Sequence, residues 1–96
     1  MSGLVVQKYG GTSVANIPRI RHVAEKIART RQRGYDVVVV VSAMAGATNA
    51  LVRQARKMSA FHDTREYDVV VSSGEQVTIG LLAMALQDIG IDARSW

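Results

Sequence analysis

Val37-Val38-Val39-Val40-Val41 is five valines in succession, followed directly by Ser42-Ala43-Met44-Ala45-Gly46-Ala47-Thr48-Asn49. β-Branched side chains are stiff at χ1 and suit a pleated strand. A run that does not alternate with polar residues predicts burial on both faces, as in a parallel sheet covered by helices. The small residues behind it then form a loop at the strand's carboxyl end. Asn49 is placed to cap a helix with Leu51, Val52, Ala55 and Met58 on one side.

Upstream, residues 4–8 make a second short apolar run that ends in Gly10-Gly11. Asn16 is a helix cap with Pro18 tolerated in the first turn. Ile17, Ile20, Val23, Ala24, Ile27 and Ala28 then recur at helical spacing, and Gly34 stops the helix. Downstream, Tyr67-Asp68-Val69-Val70-Val71 has the propensity of a strand. Residues 76–89 are Leu/Ala/Met-rich and end at Gly90, which predicts a helix, and residues 91–96 read as the start of another strand. Strand, helix, strand, helix and more implies βαβ crossovers in an α/β sandwich with a parallel sheet. Only two or three strands are on hand, so the expectation is an incomplete sandwich, part of a larger domain.

The 96 residues allow one domain at most. An apolar fraction of 48% with 21% charged residues belongs to a packed core, not to a disordered chain. The absence of cysteine excludes a disulfide frame, a thiolate metal site and a cysteine nucleophile. Residues 79–86 are the longest apolar run, short of the ~20 residues that span a bilayer. With no leader pattern at residues 1–6, the expectation is a cytoplasmic protein without a membrane partner. The net charge of +4 is uneven: residues 1–57 carry +8 and residues 58–96 carry −4. A basic half favours an anionic partner, without choosing among nucleic acid, membrane surface and phosphate.

Ligands of open α/β sheets sit at the carboxyl ends of the strands. Three small-residue segments are expected there as loops: Lys8-Tyr9-Gly10-Gly11-Thr12-Ser13, the stretch from Ser42 to Asn49, and Ser72-Ser73-Gly74-Glu75. Paired glycines let the backbone approach an anion and present consecutive N–H groups, with a helix N-terminus behind them. Lys8 adds a mobile full charge. Because the lysine precedes the glycines, this is neither a Walker A loop nor a GxGxxG turn. Taken singly, each segment is also an ordinary turn, cap or first-turn acid.

Together they are more specific. Lys8-Tyr9-Gly10-Gly11-Thr12-Ser13 resembles the first signature of the aspartate kinases, a branch of the amino-acid kinase family. Val40-Val41-Ser42-Ala43-Met44, with Thr48-Asn49 six residues after Ser42, is similar to their second, and Ser73-Gly74-Glu75 to their third. Order and spacing agree from about Leu4 to Trp96.

The resemblance implies transfer of the ATP γ-phosphoryl group to the side-chain carboxylate of L-aspartate, in the pathway to lysine, threonine and methionine. It implies Lys8 as the catalytic residue, with Lys8, Tyr9, Gly10, Gly11 and Ser42 around the ATP phosphates. Ser42, Thr48 and Glu75 fall in the aspartate pocket. Mg²⁺ arrives with ATP, with no metal ligand in this chain, and the full-length protein is a homo-oligomer. It further implies that residues 1–96 are the N-terminal portion of a kinase catalytic domain, inactive alone. The remainder of that domain, with a substrate arginine and a catalytic aspartate, and the regulatory ACT domains lie beyond. In that family the stretch before Ser-Gly-Glu is helical, which sets residues 65–72 as helix against their propensity.

Competing readings stand beside this one. A related kinase could act on glutamate, acetylglutamate or a nucleotide. A non-enzymatic module could bind phosphate or nucleic acid through Arg19, Arg21, Lys26, Arg29, Arg31 and Arg33. Those cations near a helix C-terminus suit its dipole, and a solvated face without nucleic acid is the stronger reading. An assembly piece pairing through its open sheet edge is a third. His22 is expected as a packing residue, His62 as solvated, Met44 as loop packing, and Met58 and Met84 as core.

Overall fold

The structure is a computed structural model that describes residues 3–58 and 64–95. His62 and Trp96 lie outside the described residues. Two strands, β1 (Leu4–Tyr9) and β2 (Asp36–Val41), pair in parallel, from Leu4 opposite Asp36 to Tyr9 opposite Val41. The ladder is extended at both ends: Asp36 N–H donates to Gly3 O at 2.9 Å, and Ser42 N–H to Tyr9 O at 3.1 Å. The crossover between them is α1 (Ile17–Gln32), and α2 (Ala47–Met58) and α3 (Thr64–Asp88) follow β2.

Helix α1 forms as its sequence requires. Asn16 keeps extended backbone angles and its Oδ1 accepts from Arg19 N–H at 3.0 Å. Pro18 sits in the first turn, where its missing N–H leaves no bond unmade. At the other end Gly34 takes φ +94° and donates to Arg31 O, a left-handed residue that closes the helix. Ile20, Val23, Ala24, Ile27 and Ala28 are buried, whereas Ile17 at the helix start stays half exposed. His22 is exposed, not packed, because it falls outside that buried stripe.

The five valines alternate in burial. Val37, Val39 and Val41 join Tyr9 against the core, while Val38 and Val40 face outward with Leu4 (67% exposed) and Val6 (65%). The expectation of burial on both faces is thus met on one. Both α1 and α3 pack from the same side, so among the described residues nothing lies over the other. Apolar outward positions are what strands of a doubly covered sheet carry.

Helix α2 begins two residues before the expected cap. Gly46, at φ +83°, precedes it and accepts from Ala50 N–H at 3.1 Å; Asn49 is an exposed residue of the first turn. The preceding turn, with Ala47 N–H donating to Met44 O, needs left-handed backbone that glycine supplies. Leu51, Val52 and Ala55 are half-buried, but Met58 at the helix end is 87% exposed.

Helix α3 is the longest element, 25 residues, and takes in residues 65–72 as the family resemblance implies. It also takes in Ser72-Ser73-Gly74-Glu75, which the sequence reading set in a loop. Their polarity is absorbed inside the helix: Ser72 Oγ donates to Val69 O at 3.3 Å and Ser73 Oγ to Val70 O at 2.6 Å. Gly74, Thr78, Leu82 and Leu86 are buried at spacing i, i+4, a ridge that meets α1, α2 and the core. Met84, two residues on from Leu82 and so about 200° around the axis, is 64% exposed instead of buried.

Within residues 65–88 an 18-residue window reaches a mean hydropathy of 1.6, long and apolar enough by length and composition to cross a bilayer, which a search for uninterrupted apolar runs overlooks. Here the buried ridge of that helix is spent on α1 and α2. Gly90 (φ +88°) ends it in a Schellman motif: Gly90 N–H donates to Gln87 O, Ile91 N–H to Leu86 O, and Ile91 packs on the core. Residues 91–95 form no strand. Gln87 Nε2 donates to Ala93 O at 2.9 Å, so this carbonyl is bonded to a helix side chain, not to a ladder.

Candidate functional site

Parallel pairing brings the carboxyl ends of β1 and β2 side by side, and the first two small-residue segments leave from that edge. Lys8 and Tyr9 are adjacent in sequence and therefore on opposite faces of the sheet. Lys8 is exposed on the open face, in register with Val40. Tyr9 turns to the helix layer, where its hydroxyl donates to Gln7 Oε1 at 2.9 Å and Gln7 Nε2 donates to Thr30 Oγ1 of α1 at 3.0 Å. Burial raises the Tyr9 pKa above the usual 10.0, with the Arg29 charge pulling the other way. Only the backbone of Tyr9 borders the loop, through its carbonyl bond to Ser42 N–H.

After Tyr9 the chain turns, with Ser13 N–H donating to Gly10 O at 3.1 Å, and Val14 is drawn wholly into the core. The two glycines of this turn are in different surroundings. A β-carbon placed on Gly10 meets nothing within 4 Å among the described residues, which leaves its backbone approachable. A β-carbon placed on Gly11 lies 3.1 Å from Ala43 O and 3.7 Å from the Ala45 backbone. The first segment therefore lies close against the second, with no free room for a side chain between them.

Ala43 is buried, and its methyl group faces the third segment. A β-carbon on Gly74 lies 3.1 Å from Ala43 Cβ and 3.2 Å from Leu51 Cδ1. Directly below, the fully buried Thr78 donates its Oγ1 to Gly74 O at 3.2 Å. Gly11, Ala43 and Gly74 thus join all three sequence-predicted segments. Around this junction Ser42 is half-buried, Thr48 is exposed in the first turn of α2, and Glu75 is exposed on α3. Met44 packs partly buried against the core, as expected of a loop packing residue.

Sequence reasoning chose Lys8, Tyr9, Gly10, Gly11, Ser42, Thr48 and Glu75 and passed over Ala43 and Gly74. A signal for Gly74 exists: a glycine inside a helix costs ~1 kcal/mol against alanine and needs a packing reason. Among the described residues no three His, Cys, Asp or Glu side chains gather into a metal-binding group. The arrangement can present backbone N–H groups and one ammonium to an anion, with hydroxyls and one carboxylate nearby for a polar, positively charged group.

Residues 3–95 match the amino acid kinase family. The chain is 56% identical over 93 residues to an aspartate kinase of Stutzerimonas stutzeri, covering 97% of this chain and 23% of that protein. Against an aspartokinase of Pseudomonas aeruginosa the identity is 55% with the same coverage. Against aspartokinase 2 of Bacillus subtilis it is 49% over 94 residues, covering 98% of this chain and 23% of that protein. The crystal structure of an aspartate kinase from Synechocystis matches with a TM-score of 0.86 at 52% identity, over 88% of this chain and 15% of that one. The chain spans about a quarter of the length of the curated relatives it matches.

Proposed function

This chain belongs to the amino acid kinase family, and from that premise we propose that it forms the N-terminal portion of the catalytic domain of an aspartate kinase. The reaction is transfer of the γ-phosphoryl group of ATP to the side-chain carboxylate of L-aspartate, giving ADP and 4-phospho-L-aspartate. One observation carries the reading: the segments that bear Lys8, Ser42 and Glu75 converge on Ala43 so closely that neither Gly11 nor Gly74 has free room for a β-carbon, and half or more of the residues match proteins named for this activity.

The chemistry suits these side chains. An aspartate carboxylate, with a pKa near 3.9, is already ionised at neutral pH, so its oxygen attacks the γ-phosphorus without a general base. The P–O bond to ADP breaks, and the negative charge leaves on ADP. What remains for the protein is to bring two anions together, in line and shielded from each other. Lys8 is the catalytic residue and neutralises the transferring phosphoryl group. The Gly10 and Gly11 N–H groups cradle the phosphates beside Ser42. Ser42 and Thr48 hydroxyls donate to substrate oxygens, and Glu75 pairs the substrate's α-ammonium.

Mg²⁺ carried by the nucleotide would supply charge neutralisation on the phosphates. The protein acts in the cytoplasm as a homo-oligomer, at the head of the route to lysine, threonine and methionine. The remaining parts of the site come from chain beyond residue 96, and the isolated residues 1–96 are inactive.

The test is a chimera in which these residues replace the matching 93 residues of the Stutzerimonas aspartate kinase. Incubation with ATP, Mg²⁺, aspartate and hydroxylamine should yield aspartyl hydroxamate. Turnover of glutamate or acetylglutamate in its place sinks the aspartate reading. Lys8→Ala should lower kcat on the order of 100-fold or more while moving the aspartate KM little. Glu75→Ala should raise the aspartate KM and leave ATP binding intact.

A further inference from the structure

We propose that Ala43 is a positioning residue that sets two spacings in the site: its carbonyl against Gly11 spaces the phosphate loop, and its methyl against Gly74 spaces the aspartate pocket. The inference rests on the function proposed above.

Gly11 and Gly74 have ordinary backbone angles; neither is at positive φ. Conformational freedom does not explain either glycine. Space does. At Gly11 a side chain meets the Ala43 carbonyl oxygen at 3.1 Å, a backbone atom that moves only if its loop moves. At Gly74 a side chain meets Ala43 Cβ at 3.1 Å and Leu51 Cδ1 at 3.2 Å. The leucine methyl ends a flexible side chain and can yield, whereas the alanine methyl is fixed to the loop. Gly74 is also a helix-interior residue, kept against helix propensity. Thr78, fully buried and bonded to Gly74 O, fixes the helix at that level.

The neighbours of these contacts give them consequence. Ser42 precedes Ala43, and Glu75 follows Gly74. A β-carbon added at Gly74 pushes Ser42 and Glu75 apart, which widens the pocket proposed for aspartate. A β-carbon added at Gly11 shifts the phosphate loop against the Ser42 loop, which misaligns donor and acceptor while each still binds. Displacements of about 1 Å cost on the order of 100-fold in rate when they fall on the reacting groups.

The experiment is kinetics on the complete chimera. Gly74→Ala should raise the aspartate KM on the order of tenfold and leave the ATP KM unmoved. Gly11→Ala should lower kcat by about 10- to 100-fold with the aspartate KM near that of the parent. The decisive arm is rescue. Ala43→Gly removes the methyl that Gly74→Ala strikes, so the double variant should regain most of the parent's aspartate KM. The same change should not rescue Gly11→Ala, whose clash is with a carbonyl that every residue has. Gly80→Ala, on the same helix with open space around it, should leave all parameters unchanged.

If Gly74→Ala does not fold, Ala43→Gly alone loosens the contact without adding an atom and should raise the aspartate KM by a few-fold. An unchanged aspartate KM in Gly74→Ala, or in that event in Ala43→Gly, overturns the proposal. So does rescue of both glycine variants alike, or of neither. A parent chimera inactive on aspartate overturns the functional reading and this role with it. An active parent with unmoved variants overturns the positioning role alone.

Discussion

Helix α3 has an inner row and an outer row, and they differ in what each side chain can be. The inner row, Gly74, Thr78, Leu82 and Leu86, is buried to the last member, and its residues grow from a bare α-carbon beside Ala43 to leucine in the core. The outer row holds Val77 (56% exposed), Gly80 and Met84 along the open side of the helix. Composition along the helix is much the same in both rows. What separates them is what they touch, so the same substitution should have opposite outcomes six residues apart. The largest effect belongs to the inner row: Leu82→Ala should cost about 2–5 kcal/mol, because it leaves a cavity in the core cluster that Leu82 shares with Ile20, Val23 and Val41. Met84→Ala should change stability by less than about 0.5 kcal/mol. Equal urea midpoints for the two would erase the distinction between the rows.

This difference also shows how far the sequence could be read. Elements whose causes are local were legible. The Asn16 cap, the Gly34 stop and the apolar stripe of α1 require only neighbours in the chain, and the two parallel strands require only their apolar runs. Residues 65–72 were not, since three valines argue for a strand, and their helical state follows from continuity with the packed part of α3 further along the chain. The same tertiary cause hides the rows: a Leu/Ala/Met-rich segment is apolar nearly all round, so Met84 reads as core although it is 64% exposed, and Met58 reads as core from its place on the apolar side of α2 although it is 87% exposed at the helix end. Ser72-Ser73-Gly74-Glu75 has the composition of a loop, and its hydroxyls satisfy carbonyls within the helix instead. For the site, motif spacing pointed to Lys8, Ser42 and Glu75, but contacts at Ala43 arise between segments far apart in sequence and leave no local mark beyond one glycine in a helix.

The next effect in size tests the top of the inner row. Gly74→Val places a branched side chain where even a β-carbon stands 3.1 Å from Ala43 Cβ, and should destabilise by about 1–3 kcal/mol. Thermal unfolding would read it directly. A smaller effect lies on the sheet side of the same core. Tyr9→Phe removes the hydroxyl that links β1, through Gln7, to α1, at a cost of about 0.5–1.5 kcal/mol. The loss should depend on pH with a defined sign. Burial raises the folded-state pKa of Tyr9, so the native state holds a proton that the unfolded state gives up. That contribution is complete below the unfolded value of about 10 and fades as pH rises through the folded one. The parent should therefore lose stability above pH ~10 more steeply than Tyr9→Phe. Parallel alkaline limbs would show that Tyr9 keeps its ordinary pKa.

The last effect carries the opposite sign. Gly80 is helical, and a β-carbon there meets nothing within 4 Å among the described residues. Gly80→Ala therefore adds helix propensity and reduces the freedom of the unfolded chain without a collision, and should stabilise by up to about 1 kcal/mol. For 96 residues unfolding as one unit that is a rise of roughly 4–8 °C in Tm. Gly74→Ala receives the same backbone benefit but sets it against the Ala43 methyl, so its Tm should not rise. Propensity is held constant in that pair, and the gap between the two Tm shifts measures the contact alone. If both variants gain equally, the inner row is no tighter than the outer at this level, and Gly74 is a glycine for some reason other than the methyl of Ala43.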